Sequence, residues 1–148
     1  MKKRNRLFLS YSHRDARYLK EFQPHLQFLE ERGLVNFWDD QKIEYGADWR
    51  KEIEEALART KVAILLVSAD FLVSDFINHY ELPVLLEAAQ KGESLIWPII
   101  VGYCLFNASP LSAFQALNDP MRPLERLKKG ERQQVWAQVA ARLASALQ

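Results

Sequence analysis

The apolar residues of this chain fall into short unbroken runs that alternate with stretches in which they recur every three or four positions. Runs of the first kind predict strands, and spacing of the second kind predicts amphipathic helices. The predicted strands cover residues 7–11, 35–38, 62–67 and 95–101. The run at 62–67 contains no polar residue, which is typical of a central strand covered on both faces.

The amphipathic stretches predict four helices, at residues 15–32, 49–57, 74–90 and 131–147. Pro24 and Pro83 lie inside the first and the third of these helices. A proline within a helix removes one hydrogen bond and clashes with the preceding turn. We therefore expect Pro24 to kink or split its helix and Pro83 to bend its own.

Strands that alternate with helices favour an α/β fold with a parallel sheet and helices on both faces. We expect a flavodoxin-like sheet of four or five strands in the order 2-1-3-4-5. In sheets of this type, ligands bind at the carboxyl ends of the strands. Here those ends carry residues 10–13, 39–46 and 68–81.

Charge, cysteine content and hydropathy exclude several classes of protein. Lys and Arg number 20 against 19 Asp and Glu, a net charge of +1, whereas proteins that neutralise many phosphates have a basic excess. One cysteine excludes a disulfide framework, and the run at 62–67 is far shorter than the roughly 20 residues that cross a bilayer. We expect one cytoplasmic domain over residues 1–148, complete or excised from a longer multidomain protein, with neither nucleic acid nor membrane as a partner.

Common nucleotide-binding and hydrolase motifs are absent, including the phosphate-binding glycine loops and the Gly-x-Ser-x-Gly turn. Ser68 stands where a phospho-receiver needs an acidic residue, and the three histidines are too scattered to predict a metal site. Glu81 follows the central strand and is the candidate for chemistry, the alternative being a solvated helix glutamate. For Ser10 the alternative is local backbone hydrogen bonding. For Trp49 it is the first core residue of a helix capped by Asp48.

Three segments of the chain carry motifs that occur together in one family. Residues 7–15 read LFLSYSHRD, residues 37–49 read FWDDQKIEYGADW, and residues 63–72 read AILLVSADFL, with Glu81 and Leu82 following in the next helix. In this order and spacing they resemble the first strand, the second strand with its following loop, and the third strand with the glutamate-bearing helix of bacterial Toll/interleukin-1 receptor (TIR) domains.

The resemblance implies a flavodoxin-like fold and cleavage of NAD+ at the nicotinamide–ribose bond, giving ADP-ribose or a cyclic product. NAD+ is then a substrate, and no cofactor is expected. Glu81 takes the catalytic position. The remaining positions that the resemblance assigns to the substrate site or to self-assembly are Phe8, Ser10, Tyr11, Asp39, Lys42, Ile43, Gly46, Trp49, Ser68, Phe71, Phe76 and Ile77.

A single carboxylate suffices for this reaction. Ordinary glycoside hydrolysis uses a second carboxyl group to protonate the leaving group. In NAD+ the nicotinamide ring is already a cationic pyridinium, so it departs as a neutral molecule and needs no proton. One carboxylate can then hold the ribose and stabilise the oxocarbenium charge. We expect an effector in bacterial immunity. The alternatives are a non-catalytic assembly or adaptor module and a virulence effector that interferes with host TIR signalling.

The chain departs from the family pattern just before Glu81. Family members that cleave NAD+ often have tryptophan four residues before the glutamate, where this chain has Ile77, and its aromatic residue is Phe76. The spacing from Ser74 to Glu81 is also one residue longer than in the receptor-type pattern, which suggests a bacterial sub-branch.

The loop at residues 39–48 combines five charged residues with Ile43 and Tyr45, a mixture that suits a docking surface. TIR domains often pack head to tail through this loop, and such a contact propagates instead of closing as a dimer. We predict that activity per molecule rises with protein concentration, and that Ile43→Asp or Gly46→Pro suppresses this rise without unfolding the domain. Activity per molecule that is constant over a wide concentration range, in the native protein and both variants, would contradict this.

Overall fold

The computed structural model describes residues 3–39 and 48–148. Four strands form one parallel sheet in the order β2-β1-β3-β4. The strands are β1 (Arg6–Ser10), β2 (Phe37–Asp39), β3 (Thr60–Val67) and β4 (Leu95–Ile100). The predicted flavodoxin-like order is thus confirmed for four strands. The described part of the chain holds no fifth strand, and after β4 it forms three short 3-10 turns.

Helices cover both faces of the sheet, as predicted. They are α1 (Ala16–Glu31), α2 (Trp49–Ala58), the short α3 (Ala69–Leu72), α4 (Leu82–Gln90) and α5 (Lys129–Ala146). A π-helical turn, Ile77–Glu81, leads directly into α4. Helix α3 is a separate short helix that the periodicity of the sequence does not predict. No helix in the described part of the chain has both the length and the apolar character that a bilayer span requires.

Strand β3 is the centre of the sheet, as its unbroken apolar run predicted. It pairs with β1 on one side and β4 on the other, so that Ile64 lies between Leu9 and Trp97. The side chains of each strand alternate between two hydrophobic clusters. Leu7 and Leu9 belong to the cluster under α1 and α5, whereas Phe8 belongs to the cluster under α2 and α4. This alternation decides which residues of β1 reach which face of the sheet.

Helix α1 runs through Pro24 without interruption, so the predicted split is wrong. A proline in a helix interior costs about 3 kcal/mol or more. Buried side chains on both halves of the helix, including Leu19 before the proline and Leu26 after it, hold α1 on the core. Their burial offsets the lost hydrogen bond, and the helix stays continuous.

A stacked aromatic pair and a bidentate ion pair connect helices α1 and α5. The rings of Phe22 and Trp136 lie 4.8 Å apart. Arg132 donates from Nε and one terminal nitrogen to the carboxylate of Glu21, at distances of 2.9 to 3.1 Å, and from its other terminal nitrogen to the carbonyl of Leu127. Burial raises the pKa of Glu21, but the hydrogen bonds from Arg132 and Trp136 outweigh it, so the pKa lies below its ordinary value.

We predict that Arg132→Lys lowers the free energy of unfolding by about 1–2 kcal/mol, because lysine keeps the charge but cannot form the planar fork. The matched control is Arg122→Lys, since Arg122 makes an ion pair with Glu131 at an exposed position. That change should cost less than about 0.5 kcal/mol. Urea unfolding at neutral pH measures both values, and equal losses in the two variants would contradict the prediction.

Candidate active site

Ser10 and Glu81 form a buried pair at the carboxyl end of β1. Ser10 follows Leu9 in the alternation of the strand and so lies on the face of Phe8, under α2 and α4. Its hydroxyl donates to Oε1 of Glu81 at 2.6 Å, a distance typical of a hydroxyl bound to a carboxylate. Ser10 is 2% exposed and Glu81 is 1% exposed. Glu81 is therefore not a solvated helix glutamate, and the hydroxyl of Ser10 reaches across the fold instead of bonding local backbone.

The π-helical turn Ile77–Glu81 presents Glu81 to Ser10. The amide of Leu82 donates to the carbonyl of Ile77, five residues earlier, where an α-helix would use the residue four positions earlier. A π-turn takes up one residue more than an α-helical turn, which fits the longer spacing between Ser74 and Glu81. Ser74 caps this segment, as predicted, by accepting a hydrogen bond from the amide of Ile77 at 3.4 Å.

A second serine–carboxylate pair lies at the end of the neighbouring strand β3. The hydroxyl of Ser68 donates to Oδ2 of Asp15 at 2.5 Å and accepts from the amide of Phe71, so that it also caps α3. Asp15 is 7% exposed. Burial raises the pKa of Asp15, and nearby Asp70 adds to this, although the hydrogen bond from Ser68 opposes it.

Asp15 is a candidate site residue that the sequence analysis missed. The sequence identified it only as the start of a helix and as the acidic residue that ends the first TIR-like motif. The available signal was that it comes shortly after the end of a buried strand, at the edge where ligands bind to parallel sheets. What no local pattern reveals is that Ser68, more than fifty positions away in sequence, is its hydrogen-bond partner.

An aromatic group lies where α2 meets the π-turn. The ring of Trp49 is 5.2 Å from that of Tyr80 and 5.9 Å from that of Phe76, and the guanidinium of Arg50 lies over Trp49 and Tyr80 at 5.3 and 5.5 Å. Trp49 is 36% exposed, so it is not a fully buried core residue. Asp48 caps α2, as the alternative interpretation of Trp49 expected, by accepting from the amide of Lys51.

A cavity of about 280 Å³ adjoins this aromatic group, between α2 and the helix that contains the π-turn. Its lining combines Trp49 and Tyr80 with the charged side chains of Arg50 and Glu54. Glu81 is not among the lining residues, since its carboxylate lies on the inner side of the same helix. Of the predicted site residues, Trp49 thus lines this cavity and Glu81 does not.

Four other predicted site residues are buried in the two clusters. Phe8, Phe71 and Ile77 pack under α2 and α4, on the same side of the sheet as Glu81, whereas Tyr11 packs under α1 and α5. Their contact with a ligand stays a prediction.

The remaining predicted positions lie at or beyond the end of β2. Asp39 pairs in register with Leu9, so its backbone reaches the same edge of the sheet as Ser10. Lys42, Ile43 and Gly46 lie outside the described residues. Across 3–39 and 48–148, no three side chains of His, Cys, Asp or Glu are grouped as metal ligands would be.

The class of protein to which this fold belongs follows from its similarity to known proteins. The sequence profile of the TIR domain matches residues 7–128. The chain therefore belongs to the TIR domain family.

Two of its relatives are bacterial. An uncharacterised protein of Sinorhizobium fredii is 30% identical over 118 residues, which are 80% of this chain and 36% of the relative. The 2′ cyclic ADP-D-ribose synthase AbTIR of Acinetobacter baumannii is 28% identical over 126 residues, covering 82% of this chain and 45% of the relative. The chain thus spans less than half the length of either relative.

A plant relative and a solved structure extend the comparison. TMV resistance protein N of Nicotiana glutinosa is 31% identical over 94 residues, covering 63% of this chain and 8% of the relative. The TIR domains of the activated Roq1 resistosome superpose with a TM-score of 0.56 at 20% identity, covering 95% of this chain and 84% of the other. At that identity the superposition confirms the fold.

We predict that Asp15→Asn stabilises the domain at neutral pH and that this gain shrinks as the pH falls. The pKa of Asp15 in the folded state is raised above its ordinary value of 3.8, so the folded protein binds this proton more tightly than the unfolded chain does. The resulting contribution to stability is fully present below pH 3.8. That contribution is lost as the pH rises through the folded-state pKa. Asparagine removes the buried charge and keeps an oxygen that can accept from Ser68.

Urea unfolding between about pH 4 and pH 7 measures this difference in the free energy of unfolding. The control is Asp75→Asn, which removes a carboxylate that is exposed instead of buried. Parallel curves for the native protein and Asp15→Asn would contradict the prediction.

Proposed function

We propose that this TIR domain cleaves NAD+ at the bond between nicotinamide and ribose, with Glu81 as the catalytic residue. The observation that carries the proposal is the carboxylate of Glu81, which is buried at the carboxyl ends of the strands and held by Ser10 at 2.6 Å. Two relatives support it by their names. One is AbTIR, and the other is a probable 2′ cyclic ADP-D-ribose synthase of Methanobrevibacter olleyae, 30% identical over 79 residues, which are 53% of this chain and 22% of that protein.

The chemistry requires a fixed negative charge and no general acid for the leaving group. As the bond breaks, nicotinamide departs neutral with the bonding electron pair, and the ribose carbon acquires oxocarbenium character. A carboxylate held in place by a hydroxyl needs no reorganisation to stabilise that charge. Water attack on the ribose carbon gives ADP-ribose, and attack by a group of the substrate itself gives a cyclic product. The names of the two relatives favour the cyclic product.

Glu81 is covered in this structure, since only 1% of it is exposed. The ribose can contact the carboxylate only after neighbouring groups move, so the reaction includes an opening step before the substrate binds. A site that closes again over the substrate excludes water and strengthens the attraction between the carboxylate and the oxocarbenium ion.

Assembly is the second candidate function. The likeness to TIR domains that are part of an activated resistosome favours it. The two functions are compatible if contacts between copies of the domain drive the opening step. The head-to-tail arrangement through residues 39–48 is part of this proposal, as is a role in bacterial immunity.

We predict that Glu81→Gln lowers the rate of NAD+ cleavage by about 10²-fold or more, because the amide cannot supply the negative charge. Loss of NAD+ and release of nicotinamide are followed by chromatography at high protein concentration. The matched control is Glu87→Gln, on the same helix. Glu87 is exposed, and it forms an ion pair with Lys91, one turn further along the helix. This control should keep the native rate.

Circular dichroism and thermal unfolding establish that both variants are folded. If Glu81→Gln is folded and its rate stays within a few-fold of native, another group performs the chemistry and the proposal fails. A native protein that leaves NAD+ intact at every concentration would leave assembly as the function.

A further inference from the structure

The ladder of helical hydrogen bonds shifts by one residue immediately before Pro83. The amide of Leu82 donates to the carbonyl of Ile77, and Glu81, the last residue of the π-turn, has φ −103° and ψ −55°. These angles depart from the usual helical values of about −63° and −42°. π-Turns are rare in helices as a whole, and those that occur are often found at functional sites.

Pro83 accounts for the position of the shift. In a continuous α-helix its ring would clash with the carbonyl of the residue four positions earlier, His79, and its nitrogen has no proton to donate. Widening the preceding turn relieves that clash. Leu82 also has helical angles, φ −63° and ψ −44°, although a residue before proline is pushed away from them. Leu82 is thus constrained by the widened turn before it and by the proline after it.

The two ends of the turn are fixed by packing. Ile77 on one side and Leu82 and Leu85 on the other are buried in the cluster under α2 and α4. The side-chain amide of Asn78 also donates to the carbonyl of Leu72 at 3.1 Å. Because both ends are held, the shape of the turn between them decides where Glu81 points, and in this shape its carboxylate meets Ser10.

We propose that Pro83 is a positioning residue for Glu81: it excludes the regular α-helical turn and thereby holds the carboxylate against Ser10. Pro83 is itself exposed, so it acts through the backbone and not through packing. The activity part of the test rests on the proposed function, whereas the spectroscopic part does not.

Pro83→Ala is the test variant, and Pro24→Ala is its matched control. Both prolines are exposed and lie inside helices, but α1 passes Pro24 with no π-turn. Alanine restores an amide proton at each position. At position 83 this permits the regular turn, and Glu81 is then no longer fixed in one place. At position 24 it only adds a hydrogen bond to α1.

For Pro83→Ala we expect a folded protein whose kcat falls by about tenfold to a hundredfold, since small misplacements of a catalytic group cost that much. KM should change less than kcat. The ¹³C resonance of the Glu81 carboxyl carbon, assigned by its loss in Glu81→Gln, should shift. Pro24→Ala should leave both kcat and this resonance at their native values.

Each result either supports or overturns the positioning role of Pro83. An unshifted Glu81 resonance in Pro83→Ala overturns the positioning role, whatever happens to the rate. A shifted resonance with native kcat also overturns it, because the displaced carboxylate would then be irrelevant to the reaction. A shifted resonance in a protein that never cleaves NAD+ supports the positioning role and contradicts the proposed function. If Pro83→Ala does not fold, Pro83→Ser is measured in the same way, since serine also restores the amide proton.

Discussion

A carboxylate enclosed by protein must be hydrogen-bonded, because an unpaired buried charge costs several kcal/mol. The hydroxyl of Ser10, at the end of β1, supplies such a hydrogen bond to Glu81. The arrangement depends on the sheet. Since β1 is covered on both faces, its alternation assigns Leu9 to one cluster and sends Ser10 to the face where the π-turn lies. A slip of one residue in β1 would turn Ser10 away and leave Glu81 without this partner.

The same edge of the sheet carries a second pair built in the same way. Ser68 follows β3 and holds Asp15, which ends the turn after β1. Each serine therefore connects the end of a strand to an acidic residue, Asp15 just before α1 and Glu81 in the π-turn. Parallel strands make this possible because all of their carboxyl ends, with the helices that follow, meet at one edge. This edge therefore buries two hydrogen-bonded carboxyl groups within a largely apolar core.

Pro24 and Pro83 show how the same residue type gives different local structures. Both lie in helices that pack on the sheet, yet α1 stays regular at Pro24 and the later helix shifts its hydrogen bonds before Pro83. After the π-turn the buried positions Leu82, Leu85 and Ala88 lie on the regular part of the helix, and the π-turn sets their phase relative to Ile77, which is buried in the same cluster as Leu82 and Leu85. A proline thus disturbs the helix at a place that the sequence fixes, and the surrounding packing decides how the disturbance is absorbed.

The amino-acid sequence by itself determined the strands, their parallel order and the helix caps at Asp48 and Ser74, because these depend on spacing and on side chains that bond nearby backbone. It also singled out Glu81. Tertiary structure alone decided the burial of that glutamate against Ser10 and the pairing of Asp15 with Ser68. Those contacts join residues far apart in the chain. Local periodicity carries no information about these contacts, because the two partners of each pair meet only when the strands assemble into the sheet.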